Sequence, residues 1–134
     1  MLSLSRPIAT ALLAQAQSAP GARVCGLLFG EAGEPVAVQA LRNTAENPAA
    51  GHRFDPAEFD AALAAAQAAG RELLAVFHSH PDSPPVPATN DLAASPAPDK
   101  PLLVISLNTK GVLEMRAFAR DGATVSEIPL HIFF

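Results

Sequence analysis

Apolar residues recur at Ile8, Leu12 and Ala16, a four-residue spacing that puts them on one face of a helix. Pro7 suits a first helical turn, and Ser18 to Gly21 stop the run. Arg23 to Gly30 (RVCGLLFG) is short and apolar, as a buried strand is. Val36 to Leu41 alternates and returns as its hairpin partner across the turn Glu31 to Glu34. Asn43 to Gly51 is loop, with Asn-Pro at 47–48, and Arg53-Phe54 is a short extended piece. Asp55-Pro56-Ala57-Glu58 opens a second helix, with Asp55 as N-cap, Pro56 as first helical residue and Glu58 as capping-box acid. Phe59, Leu63 and Ala66 give it a buried stripe, and Gly70 ends it. Leu73 to Phe77 is a strand that runs into His78-Ser79-His80. Four prolines between Pro81 and Pro87 exclude regular structure there. Thr89-Asn90-Asp91 caps a short helix through Ala94, and Ser95 to Pro101 is loop. Leu102 to Leu107 is a strand that turns at Asn108 to Gly111 into Val112 to Ala119. Asp121-Gly122 turns again into a strand near Thr124 to Ile128. The order α-β-β-α-β-α-β-β-β predicts a mixed α/β sandwich with a partly antiparallel sheet. With no repeat and no linker, residues 1–134 form one domain.

Composition narrows the classes of function. At 134 residues, 49% apolar and 16% charged, the chain is an ordinary folded domain rather than a disordered one. Nine basic against 13 acidic residues, with no basic run, exclude a nucleic-acid partner. No segment approaches the ~18 consecutive apolar residues of a membrane span. Met1 to Ala22 has some features of a signal peptide, but its apolar run is short and broken by Gln15 and Gln17. The helical spacing fits it better, so a cytoplasmic protein is expected. One cysteine, Cys25, excludes an internal disulfide. Inside an apolar strand it reads as a buried, inert thiol, unless Arg23 approaches and favours the thiolate.

The chemistry concentrates in His78-Ser79-His80-Pro81 and Asp91. Side chains alternate on an extended segment, so His78 and His80 face the same side. The proline loop can return Asp91 as a third ligand. Two imidazoles, one carboxylate and an open fourth position make a catalytic zinc site, which activates water and polarises a carbonyl. The bland alternative is two exposed histidines and a helix-capping Asp. Non-haem iron also uses two His and one carboxylate, but its local motif puts the carboxylate beside the first His, unlike here. His52 and His131 stand alone and read as surface residues.

The spacing of His78-Ser79-His80-Pro81, ten residues before Asp91 at a helix onset, resembles the JAMM motif of MPN-domain zinc metalloproteases. Val24-Cys25-Gly26-Leu27-Leu28-Phe29-Gly30 is similar to that family's first strand. Asn43, Phe54 and Asp55-Pro56 resemble its loop and helix start. Ala117-Phe118, Asp121-Gly122 and Glu127-Ile128-Pro129-Leu130 resemble the ending of its small stand-alone bacterial members. The resemblance implies an MPN-type α+β fold, with zinc held by His78, His80 and Asp91. It also implies cleavage of C-terminal amide or isopeptide bonds of ubiquitin-like or sulfur-carrier proteins.

Two positions depart from the family. Its general-base Glu falls at Arg23, and its oxyanion-stabilising Ser falls at Ala88, with Thr89 beside it as a possible substitute. Arginine cannot take a proton from water at neutral pH. Glu31 lies roughly 26 Å along an extended strand at ~3.3 Å per residue, too far to replace it. Glu46 on the loop is the remaining candidate base. Two functions follow: a zinc hydrolase with impaired base chemistry, or a non-catalytic zinc-containing module that binds a ubiquitin-like tail or another protein.

Overall fold

The structure, a computed structural model, describes residues 1–107, 114–122 and 124–133. Helix α1 (Arg6–Ser18) forms on the expected pattern, with Pro7 in its first turn and Ala9, Leu12 and Ala16 buried. Two short strands that the pattern does not reveal lie at the chain ends. They are β1 (Leu2–Ser5) and β8 (Leu130–Phe133), which pair in parallel with Leu4 opposite Ile132. Four residues are too few for an alternation to register, and β8 is mostly exposed.

The main sheet holds β2 (Cys25–Glu31), β3 (Glu34–Leu41), β4 (Glu72–His80), β5 (Leu102–Ser106), β6 (Glu114–Asp121) and β7 (Thr124–Ile128). Its order is β3-β2-β4-β5-β6-β7. Only β4 and β5 pair in parallel; the other neighbours are antiparallel. A parallel pair needs a crossover, and residues 81–101 supply it with helix α3 (Thr89–Ala94) inside. The β2–β3 hairpin turns through Ala32 and Gly33, both at positive φ (51° and 82°), as a tight two-residue hairpin requires. The expected turn at Asn108 to Gly111, and Val112 of the following strand, lie outside the described residues.

Helix α2 (Pro56–Ala68) begins as expected, with Asp55 accepting the Ala57 N–H at 3.4 Å. Glu58 is not the capping-box acid. It accepts the Arg42 backbone N–H at 2.6 Å and the Arg42 Nε–H at 3.0 Å, a charge-assisted pair that the helix's own N-terminus cannot match.

The sheet has a core on each face. Cys25, Leu27, Phe29 and Val76 pack with Phe59, Ala62 and Ala66 of α2. Leu28, Ala75, Phe77 and Leu103 pack with Leu4, Leu12 and Ala16 on the α1 side. Strand alternation therefore fixes where the chemistry goes. His78 and His80 continue the parity of Val76 and emerge on the α2 face. Gly26 keeps β2 thin on the other face, since a Cβ there would run into the Phe77 ring and the Gln39 carbonyl. No helix among the described residues is long and apolar enough to cross a membrane.

Candidate metal centre

The end of β4 is the platform. Cys25 lies opposite His78 in the antiparallel β2–β4 pair, so the register continues to Val24–Ser79 and Arg23–His80. Ser79 pins this end twice: its Oγ accepts the Val24 N–H at 2.9 Å and its N–H donates to the Val24 carbonyl at 3.0 Å. Arg23 is thereby set across from His80 on the same face. Asp91 arrives from the first turn of α3, where its Oδ2 accepts the Ala88 N–H at 2.8 Å. All three candidate ligands are buried: His78, His80 and Asp91 are 0%, 2% and 1% exposed.

His78 Nε2 and His80 Nε2 are 3.2 Å apart, and Asp91 Oδ2 is 3.5 Å from the first and 2.9 Å from the second. His80 Nδ1 lies 2.8 Å from the Pro84 carbonyl, which can only accept, so Nδ1 carries the proton. In the neutral ring, His80 Nε2 is then a lone pair facing a carboxylate. Such an arrangement needs a cation between its donors, either a proton or a metal ion. A tetrahedral ion bound at about 2.0–2.2 Å spaces neighbouring donors about 3.3–3.6 Å apart. The observed triangle is close to that, so the three side chains fit a metal ion. The Pro84 carbonyl would hold the ring of one ligand in the ligating tautomer.

Arg23 enters the same cluster. Its Nη1 donates to Asp91 Oδ1 at 2.7 Å, and its side chain is 12% exposed. Each oxygen of Asp91 is thus engaged, Oδ1 by arginine and Oδ2 by the histidine side. Burial alone would raise the Asp91 pKa; the hydrogen bonds of His78 and His80, the His78 charge and the Ala88 N–H outweigh it and hold the carboxyl well below its ordinary range. Burial lowers the His78 pKa, and the nearby His80 and Arg23 add to this against Asp91.

His52 is not the surface residue that its isolation in sequence suggests. It is 8% exposed and stacks on His78, with ring centroids 4.4 Å apart and planes 16° from parallel. Its edge meets Phe54 at 5.7 Å. Asn43 places it: the side-chain amide donates to the Arg23 and Gly51 carbonyls and accepts the Ala45 and Arg53 N–H groups. One asparagine therefore brackets His52 on both sides and ties it to β2. The His52 Nδ1 has no hydrogen-bond partner and stands 3.9 Å from Asp91 Oδ1. Burial, with His78 next, pushes its pKa down to about 3, so the ring is neutral. His52, His78 and Asp91 also offer donors within 4.8 Å of one another. Stacked rings hold their in-plane lone pairs parallel, so sharing an ion with His78 would require His52 to turn. No motif in the sequence marks His52; its place beside Arg53-Phe54 and the start of α2 was the only clue.

The remaining predicted positions divide. Ala88 is the N-cap of α3 and contributes its backbone N–H, while Thr89 opens the helix, exposed. Glu46 is exposed on the 43–51 loop and is not among the charges that act on His52, His78 or Asp91. Cys25 is fully buried, its Sγ 3.8 Å from the Leu41 and Arg42 carbonyls, and burial followed by the Glu58 charge pushes its thiol up to about 12. It is an inert core thiol. His131 is exposed on β8 and stacks on Phe133. A cleft of about 610 Å³ opens beside His52 between the start of α2 and α3, with Phe54, Phe59, Asn90 and Ala93 among its walls.

Known proteins share this architecture. The chain is 32% identical to a protein named desampylase from Haloferax volcanii over 111 residues, 78% of this chain and 80% of that one. It is 33% identical to a desampylase from Pyrococcus furiosus over 94 residues, 70% of this chain and 65% of that one. A solution structure from Desulfitobacterium hafniense superposes with a TM-score of 0.86 at 27% identity, over 99% of this chain and 93% of that one. A structure described as JAMM, a metalloprotease-like zinc site in the proteasome and signalosome, shares the fold with a TM-score of 0.64 at 17% identity, over 100% of this chain and 99% of that one. The profile of prokaryotic homologs of the JAB domain matches residues 5–121, and the protein belongs to that JAB/MPN family.

Proposed function

We propose that the chain is a zinc-dependent JAMM-type protein that engages the C-terminal tail of a ubiquitin-like or sulfur-carrier protein and cleaves its terminal amide or isopeptide bond slowly. The observation that carries this reading is the convergence of His78 Nε2, His80 Nε2 and Asp91 Oδ2 within 3.5 Å of one another. Zinc bound there would supply Lewis acidity toward a carbonyl. The chain's own residues do the rest. Pro84 fixes the His80 tautomer, Ala88 and Arg23 orient Asp91, and the cleft beside His52 offers apolar walls to an extended tail. The desampylase relatives favour an amide bond at such a tail as the target.

Arg23 limits turnover. A guanidinium cannot accept a proton, and it occupies the family's base position. Its 2.7 Å contact with Asp91 favours a second reading, a module that binds the tail without cutting it. Elemental analysis of wild type and His80→Ala, with a turnover assay on a carrier adduct, tests both. The first reading expects about one zinc per chain, lost in the variant, and binding that weakens as pH falls, because protons compete with the metal for its ligands. It also expects slow cleavage that Arg23→Glu accelerates by a good part of the ~10²–10⁴-fold that a general base contributes. Adding Ala88→Ser should contribute up to ~10²-fold more through a donor to the developing oxyanion. Equal zinc in both proteins would overturn the metal assignment. Zinc and tail binding with no turnover in any variant would leave the binding module.

A further inference from the structure

Arg23 has more donors than Asp91 uses. Nη1 is committed to Asp91 Oδ1 at 2.7 Å. Nε is buried without a hydrogen-bond partner, and no described residue accepts from Nη2. In a guanidinium, the Nε–H and the adjacent Nη2–H point the same way, a fixed pair of donors whose spacing matches the two oxygens of a carboxylate. The side chain is 12% exposed, so it is sunk but not sealed; Nε itself has no accessible surface and must be uncovered by a small shift of its neighbours before a ligand reaches it. On the other side of Asp91 Oδ1, His52 Nδ1 is a second buried nitrogen without a partner. Two unpaired polar groups thus flank one carboxylate that is already satisfied.

The charge balance points the same way. Asp91 and Arg23 are paired at 2.7 Å and cancel. A carboxylate at position 23 would instead give two negative charges, enough to balance a divalent ion. With arginine there, an ion in the cluster leaves a surplus of two positive charges, and the site calls for an anion. The cleft walled by Phe54, Phe59 and Ala93 has His52 but not Arg23 in its lining, so an apolar or small-residue peptide seated there would reach Arg23 past His52.

We propose that the Nε/Nη2 edge of Arg23 is a receptor for the free C-terminal carboxylate of a peptide tail, so that the site prefers a chain that ends there over one that continues through an amide. The inference rests on the tail-docking reading above and deepens it, by naming the form of the tail that is held. It makes Arg23 a specificity-determining residue.

The test is fluorescence polarisation with an N-terminally labelled pentapeptide ending in two glycines, as the free acid and as the C-terminal amide, titrated with the full chain in EDTA and zinc-loaded. The free acid should bind at least about tenfold tighter than the amide, as a charge-assisted pair of hydrogen bonds gives. Arg23→Gln should abolish the difference. Arg23→Lys, which keeps the charge but not the fork, should retain only a part of it, and circular dichroism should verify that both variants fold. Equal binding of acid and amide by the wild type overturns the proposal without any variant, and leaves tail docking standing. A preference that survives Arg23→Gln also overturns it, because another cation then carries the carboxylate. A clear acid preference lost in Arg23→Gln, in a protein that cleaves no adduct, supports the proposal while the hydrolase reading fails.

Discussion

Replacing Asp91 by Asn in the metal-free protein strips Arg23 of its counter-charge while changing little else in shape. Both partners are largely out of water, with Asp91 1% and Arg23 12% exposed, and their contact is 2.7 Å. Breaking a buried pair by neutralising one partner costs about 3–5 kcal/mol, because the other charge is left desolvated. Asparagine keeps an acceptor for Nη1, so the lower end, about 3 kcal/mol, is expected. Arg23→Gln should cost a similar amount, since Asp91 Oδ1 then has only His52 nearby, at 3.9 Å. If the losses were independent, the double variant would lose about 6 kcal/mol, close to the whole stability of many domains. It removes both charges, however, so its loss should fall short of the sum by at least about 1.5 kcal/mol. The assay is urea unfolding in EDTA, followed by far-ultraviolet circular dichroism because the chain has no Trp or Tyr. Additive losses to within about 0.5 kcal/mol would mean that the pair contributes no coupling, and the account of Asp91 as an arginine-held ligand would fail.

Other consequences are as direct. His52 has a folded pKa of about 3 against an ordinary 6.5, so its contribution is fully present above pH 6.5 and is lost as pH falls from there toward 3. Asp91, also depressed, removes stability in the same direction below its ordinary 3.8. Metal-free wild type should therefore lose about 2–3 kcal/mol more between pH 7.5 and 4.5 than His52→Gln does; parallel pH profiles would show that His52 is not buried neutral. Asn43→Ala removes four hydrogen bonds from the loop that brackets His52. At roughly 0.5–1.5 kcal/mol each, it should cost about 2–6 kcal/mol, with faster amide exchange at Ala45 and Arg53, and unchanged exchange there would refute the bracket. Gly26→Ala should destabilise by several kcal/mol, on the order expected for overpacking a core, and a neutral result in thermal unfolding would contradict the close β2–Phe77 contact.

The sequence reveals much of this architecture because strand parity and capping are local. The helix beginning at Asp55-Pro56, the strand entering His78 and the helix bearing Asp91 all follow from residues within a few positions of one another. Glu58 escaped that logic because its partner, Arg42, is 16 residues away and outcompetes a local cap. His52 escaped it for the same reason. Its burial depends on Asn43 closing a loop onto β2 and on a ring stacked from another strand, and neither leaves a spacing signal. The end strands β1 and β8 depend on each other across nearly the whole chain. Position 23 was legible as an odd residue, but the sequence could not tell whether its arginine faced the metal site. The Ser79–Val24 pins and the β2–β4 register decide that.

That placement gives the substitution its consequence. An arginine turned to solvent would leave the cluster with one unmatched carboxylate and little else changed. An arginine bonded to Asp91 Oδ1 neutralises the ligand carboxylate that an incoming cation needs, yet leaves Oδ2 and both imidazole nitrogens free to converge. The cluster would then hold an ion more weakly than a two-carboxylate site, and the proposed anion site would arise in the same step. On the proposed function, hydrolysis would suffer doubly, since no base stands at position 23 and the product of cleavage, a free carboxylate, is the species the guanidinium is proposed to retain. The proposed slow turnover and the proposed retention of the cleaved tail would then be one electrostatic change seen from two sides. Arg23→Glu should reverse both together, speeding cleavage while reducing the preference for the free acid. A variant that did one without the other would separate the roles assigned here to a single side chain.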